Sequence, residues 1–188
     1  MGRALQRAAE AKDGQMGNAM VESVLDGEVS LASRAGQYLT FLLGAEIYGL
    51  AILKVQEIIG LMPVTKVPRT PHYVRGVINL RGKVIPVVEL RTKFEMEQRA
   101  DTNMTCIIVV QVASSAKNVT LGIIVDEVAE VLAITADQLE PAPSFGNGVN
   151  TEFILGIGKA GAKVVVLLDV DRVLSWGELS AVDQTIAS

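Results

Sequence analysis

Residues 156–161 read GIGKAG, so Gly156, Gly158 and Gly161 have the spacing of a dinucleotide-binding fingerprint. That fingerprint must open a helix whose N-terminus meets the pyrophosphate, whereas AKVVVLLD follows here, which is strand composition. The glycines therefore read as a hairpin turn, and no nicotinamide or flavin cofactor is expected. The single histidine, His72, lies between Pro71 and Tyr73, and the single cysteine, Cys106, lies within TCIIVV. Neither carries a nucleophile signature, and Cys106 reads as a small buried hydrophobe. One cysteine forms no internal disulfide, and one histidine supplies less than half of any usual zinc site. With no P-loop, kinase glycine loop or paired metal carboxylates, no catalytic, cofactor-binding or metal-binding residues are expected.

The remaining polar groups suggest binding rather than reaction. Asn79-Leu80-Arg81-Gly82 separates two apolar runs and reads as a tight hairpin loop in which Asn79 and Gly82 take positive φ. The fork of Arg81 at its tip is either a solvated loop charge or a partner for a carboxylate, on another protein or across the fold. In GLAILKVQEII at 49–59, Lys54, Gln56 and Glu57 interrupt an aliphatic run and predict one wet face or a bend after Val55. Val55, Ile58 and Ile59 beside Glu57 also have the make-up of an apolar interface patch with a polar rim. Phe145, in PAPSFGNG, is either tucked into its own barrel or an anchor for a partner.

Composition narrows the partners. The 188 residues carry 17 Lys plus Arg against 21 Asp plus Glu, a net charge of -4, the wrong sign for a phosphate-backbone binder. Aromatics at 4% leave too few side chains for a base-stacking surface. No apolar run reaches the roughly 18 residues of a membrane span, and Glu10, Lys12 and Asp13 stand where a signal-peptide core would be. A cytoplasmic protein is expected, with no direct membrane insertion.

Residues 1–36, rich in Ala, Gly, Ser and charge, predict a flexible N-terminal tail with a transient helix over 3–12. From Gln37 onward, short Val-, Ile- and Leu-rich runs bounded by Gly, Pro and Asn predict strands at 37–43, 46–53, 55–60, 75–79, 83–89, 104–112, 119–126, 128–133, 152–157 and 163–169. Pro86 places its strand at an edge or at a bulge. The spacing Thr135 to Gln138 predicts a capped turn of helix, and Ser175 to Glu178 predicts a terminal helix to about residue 186, weakened by Gly177. Two internal repeats stand out: 49–59 against 122–132 (GIIVDEVAEVL), and 76–90 (GVINLRGKVIPVVEL) against 156–170 (GIGKAGAKVVVLLDV). Each half therefore predicts a small antiparallel barrel of about five strands, packed on the other through a shared apolar interface.

ILKVQEI at 52–58, TKVPRTPHYVRGVINLRG at 65–82, VIPVVELRTKF at 84–94, GIIVDEVAEVL at 122–132 and PAPSF at 141–145 together resemble the CheW family of bacterial chemotaxis coupling proteins. The resemblance covers about 37–175, leaving 1–36 and a C-terminal helix or tail at 176–188 outside it. It implies a mainly all-β fold of two SH3-like five-stranded barrels on a common hydrophobic core, without catalytic activity or cofactor. It implies a cytoplasmic adaptor at membrane-associated receptor arrays, joining the cytoplasmic tips of methyl-accepting chemoreceptors to the regulatory domain of the histidine kinase CheA. A scaffold for another chemosensory system, controlling surface motility or gene expression, is the alternative it implies. By resemblance, Val55, Glu57, Ile58, Gly76 and Phe145 match kinase-contact positions, and Glu57, Arg81, Gly82, Val128 and Val131 match receptor-contact positions. Gly76 and Gly82 could equally act through backbone geometry.

Overall fold

The computed structural model describes residues 31–113, 118–144 and 151–173. The two tails, the predicted helices at 3–12 and 175–186, and Phe145 lie outside the described residues.

Among the described residues, eleven strands form two sheets. In chain order they are β1 (Gly36–Leu43), β2 (Glu46–Ala51), β3 (Val55–Gly60), β4 (Val74–Leu80), β5 (Lys83–Glu89), β6 (Cys106–Val112), β7 (Val119–Val125), β8 (Glu127–Ile134), β9 (Leu139–Glu140), β10 (Ile154–Ala160) and β11 (Lys163–Leu168). One sheet has the order β3-β6-β7-β5-β4 and the other β8-β1-β2-β11-β10-β9. All ten strands expected from the sequence are present. The two-residue β9 was not among them, being too short for any period to register.

The two barrels are not the two halves of the chain. The repeat equates β3, β4 and β5 with β8, β10 and β11, yet each trio is completed by the hairpin of the other half: β6–β7 joins the first trio and β1–β2 the second. Each hairpin meets its trio on two sides: the β3–β6 and β8–β1 junctions are antiparallel, whereas the other junction is parallel, Val87 opposite Gly122 in one sheet and Val165 opposite Ile47 in the other. The expected all-antiparallel barrels thus each contain one parallel pair. Sequence repeats reveal which strands are alike, not which ones pair.

Burial follows this exchange. One cluster spans both sheets, bringing Leu39, Phe41 and Leu50 together with Val88, Ile108, Leu121 and Ile123. Each barrel also has its own smaller cluster, around Ile78, Ile85 and Ile107 in one and around Ile134, Val165 and Leu167 in the other. An aromatic run stitches the sheets at the seam: Phe41 to Tyr48 (5.9 Å), Tyr48 to Phe94 (5.9 Å) and Phe94 to Phe153 (5.2 Å) between ring centroids.

Two charge clamps hold the crossings between barrels. Arg91, in the single helical turn Leu90–Lys93 after β5, donates Nε–H to Asp126 Oδ1 at 2.6 Å and pairs with its second oxygen. Asp126 lies between β7 and β8 and also accepts the Gly44 N–H of the β1–β2 turn at 2.8 Å. At the pseudo-equivalent place, Lys54 pairs with Asp171 at 2.6 Å, and Asp171 accepts the N–H of Ala113 after β6 at 2.8 Å. A carboxylate thus secures each exchanged hairpin, but the charge polarity of the two clamps is opposite.

Several local expectations need correction. The predicted strand 46–53 stops at Ala51 because Ile52–Lys54 turn as a 3-10 helix, a turn before Val55 that adds to the irregularity after it. Pro86 sits in an interior strand, but the β5–β7 ladder begins at Val87, so its missing N–H removes no bond from that ladder. Gly156 and Gly158 lie inside β10, and only Gly161, at φ +62°, is in the turn. A Cβ on Gly158 would stand 2.6 Å from Ile134 Cδ1, so close packing explains that glycine. The Thr135 cap is present: Gln138 Oε1 accepts the Thr135 N–H at 2.9 Å before the turn Ala136–Gln138.

Candidate protein-interaction site

β3 and β8 are edge strands of their sheets. On β3 the ladder to β6 slips between Val55 and Glu57, so Gln56 bulges and the strand is re-aimed at the surface. Ile58 is 45% exposed, a large apolar side chain left on an edge. On β8 the equivalent residue Val131 is 48% exposed.

The β4–β5 turn closes the barrel against β3. Arg81 and Gly82 both have positive φ, +53° and +85°, the signature of a type I′ turn, so Arg81 and not Asn79 takes the left-handed position. Asn79 Oδ1 instead accepts the Gly82 N–H at 2.8 Å and braces the turn. From this tip Arg81 reaches back to Glu57 in a bidentate pair, 2.7 Å to Oε1 and 2.6 Å to Oε2. The partner carboxylate of Arg81 therefore lies within its own barrel. The Arg81 hydrogen bonds, aided by its charge, hold the Glu57 carboxyl below its ordinary range. The pair rims a cavity of about 230 Å³ that also takes in Lys83, which the repeat aligns with Lys163, and Thr120, which has no signal in the sequence pattern.

The other barrel repeats this arrangement: Glu130 on β8 pairs with Lys163 at the start of β11, at 2.5 Å. The repeat aligns Glu57 with Glu130 and Lys83 with Lys163, so the signal for this second pair was present in the sequence.

The remaining sequence-derived candidates divide by burial. Val55 and Val128 are half-buried and pack against the shared core. Gly82 is exposed at the tip. Gly76 is buried, with φ +145°, and a Cβ there would stand 2.1 Å from the Thr65 carbonyl oxygen. It is a packing residue: the Thr65–Val77 bridge passes where its side chain would be. A contact role for Gly76 is thereby corrected to a backbone one.

Nothing in the arrangement assembles for catalysis. Cys106 starts β6, and burial pushes its thiol up, away from a reactive thiolate. His72 is exposed, edge-on to the Tyr73 ring at 5.7 Å. Among the described residues no group of three or more His, Cys, Asp or Glu could hold a metal ion, and no helix is long and apolar enough to cross a membrane.

Residues 37–178 match the family model described as a CheW-like domain. A chemotaxis protein CheW of Klebsiella aerogenes is 40% identical over 152 residues, which is 81% of this chain and 89% of that protein. The chemotaxis protein CheW of Treponema pallidum is 32% identical over 147 residues, 76% of this chain and 84% of that protein. The crystal structure of the scaffolding protein TtCheW from Thermoanaerobacter tengcongensis superposes with a TM-score of 0.67 at 33% identity, over 77% of this chain and 95% of that one.

Proposed function

The chain belongs to the CheW-like family of non-enzymatic chemotaxis scaffolds, and on that premise we propose that it couples methyl-accepting chemoreceptors to the regulatory domain of the histidine kinase CheA in membrane-associated arrays. The domain carrying this role spans 37–175, flanked by the segments 1–36 and 176–188. The observation that carries the reading is the pair of exposed aliphatic residues, Ile58 and Val131, on the edge strands β3 and β8, each beside a paired glutamate. Such apolar centres with a polar rim have the make-up of a protein interface rather than of a reaction site.

In this reading the kinase face is β3, with Val55, Glu57 and Ile58, while Phe145 adds a second contact. The receptor face takes Glu57 and the Arg81–Gly82 tip together with Val128 and Val131. Holding both partners at once raises the effective concentration of each for the other, which links them without a chemical step. A signal passes if receptor states differ in their contacts with the scaffold or with the kinase it holds.

Isothermal titration against an isolated CheA regulatory domain tests this. Micromolar binding is expected, about -8 kcal/mol. Ile58→Asp should weaken it by about thirtyfold or more while leaving the far-UV spectrum intact, as expected for a central interface residue. Ile58 is the better probe than Val55, whose packing on the core would confuse lost binding with lost folding. Val131→Asp should spare this binding and weaken receptor capture. A folded protein that binds neither partner overturns the reading.

Arg81→Ala separates structure from contact. Arg81 is 73% exposed at its side chain, so the melting temperature should hardly move, whereas receptor coupling should fall. The Glu57 carboxyl, having lost its hydrogen-bonded fork, should titrate higher in a side-chain NMR titration. An unfolded Arg81→Ala protein would make the residue structural instead.

A further inference from the structure

At the other end of the β4–β5 hairpin, about 20 Å from the Arg81 tip given the rise of its seven-residue strands, the structure has an open polar cleft of about 550 Å³. Its walls are the segment before β4, the end of β5 and the loop at 98–101. Three cations and two carboxylates line it. Arg75 absorbs both carboxylates: its Nη1 lies 3.2 Å from Glu89 Oε1 and 3.3 Å from Asp101 Oδ1, and its Nη2 pairs with the second Asp101 oxygen. That leaves Lys66 on one wall and Arg99 on the other without a hydrogen-bonded carboxylate among the described residues. Both are exposed.

A further cation lies in the same segment as Lys66, between the lining residues Val67 and Thr70. Arg69, at φ +63°, occupies the left-handed position of the turn Val67–Thr70, where Thr70 Oγ1 donates to the Val67 carbonyl at 2.9 Å. Glycine is the residue a turn position of this kind favours, and a side chain there costs about 1 kcal/mol. The chain thus accepts backbone strain to place a third exposed cation beside the cleft, on a protein whose net charge is -4.

We propose that this cleft docks an extended acidic polypeptide segment of a partner protein, at a surface separate from the Ile58 and Arg81 faces. Charge complementarity sets the partner's sign. Its extended form follows from the layout: Lys66 and Arg99, the cations without a hydrogen-bonded carboxylate, come from two walls of an open cleft rather than converging on one point, and the Arg75 guanidinium is already occupied. That suits carboxylates spaced along a chain and not a single enclosed phosphate.

The test uses the full-length protein, isotopically labelled for amide NMR, titrated with a capped deca-glutamate peptide. Saturable shifts are expected on the amides of 66–75 and 98–101, fading as salt is raised. Lys66→Glu combined with Arg99→Glu should weaken binding about tenfold or more, with the other amides unmoved. Arg81→Ala should leave the titration unchanged. Shifts that map to the Arg81–Lys83 tip, or that never saturate, overturn the proposal. So does inorganic pyrophosphate moving the same amides with an equal or lower midpoint, which would make the cleft a site for small phosphates.

Discussion

Arg91→Ala is expected to lower the stability of the fold by about 3 kcal/mol at neutral pH, the lower end for breaking a buried ion pair because Asp126 keeps some solvent contact. For a domain of this size that is a fall in melting temperature of roughly 6–12 °C. Two things are lost together: the guanidinium that joins the helical turn after β5 to the β7–β8 crossing, and the charge that compensates Asp126 there. Burial raises the Asp126 carboxyl, but the hydrogen bonds from Arg91 and the Gly44 amide, with the charges of Arg91 and Arg99, outweigh it and hold the group below its usual value. A carboxyl depressed in the folded state stabilises fully above its unfolded value, near 4, and that contribution fades as pH falls through the folded value. In the variant, burial remains while the Arg91 hydrogen bond and charge are gone. The gap between wild type and variant should therefore narrow between neutral pH and pH about 3. Urea melts at several pH values measure it, and a gap that does not depend on pH would mean that Arg91 acts through packing alone.

The second large effect belongs to Gly76. Gly76→Ala should cost more than about 4 kcal/mol or prevent folding, because the new methyl must displace the Thr65 carbonyl and break the two hydrogen bonds between Thr65 and Val77, of 2.9 and 2.8 Å. Gly82→Ala makes the contrast. Nothing lies within 4 Å of its Cβ position, so only the strain of φ +85° is felt, about 1 kcal/mol. Both glycines sit at positions that the family resemblance ties to partner contact. Paired measurements of thermal stability and partner binding should show Gly76→Ala losing binding through unfolding, and Gly82→Ala remaining folded.

Why the strands could be read in advance and their partners could not is clear from particular residues. Runs such as VIPVV and CIIVV are bounded by glycine, proline or polar turns, and their composition alone marks them as pleated and buried. The parallel meeting of Val165 with Ile47 leaves no such mark, since the two hairpins look alike in sequence and nothing local says which trio each joins. The same limit applies at the site. Glu57 and the Arg81 tip stood out as polar groups in apolar surroundings, but their bidentate pairing across 24 residues of chain had no local signature. Val55 and Ile58 looked equivalent in composition, but three residues apart on one strand they face opposite sides, one half-buried and the other exposed. Gly156 and Gly158 imitated a turn because close packing and positive φ both select glycine.

The borrowed hairpins also impose an order on synthesis. Strands β3 to β7 are continuous from Val55 to Val125, so that barrel has all its strands as soon as the ribosome has released them. The first hairpin made, β1–β2, belongs to the other barrel and must wait for β8 and β11; Ile47 meets Val165 only 118 residues later. At elongation rates of about 5–20 residues per second, that is a delay of roughly 6–24 s. For about the last third of it, after Val125, the chain carries a module with all its strands behind an unpartnered apolar ribbon, the kind of exposed edge that holdase chaperones cover.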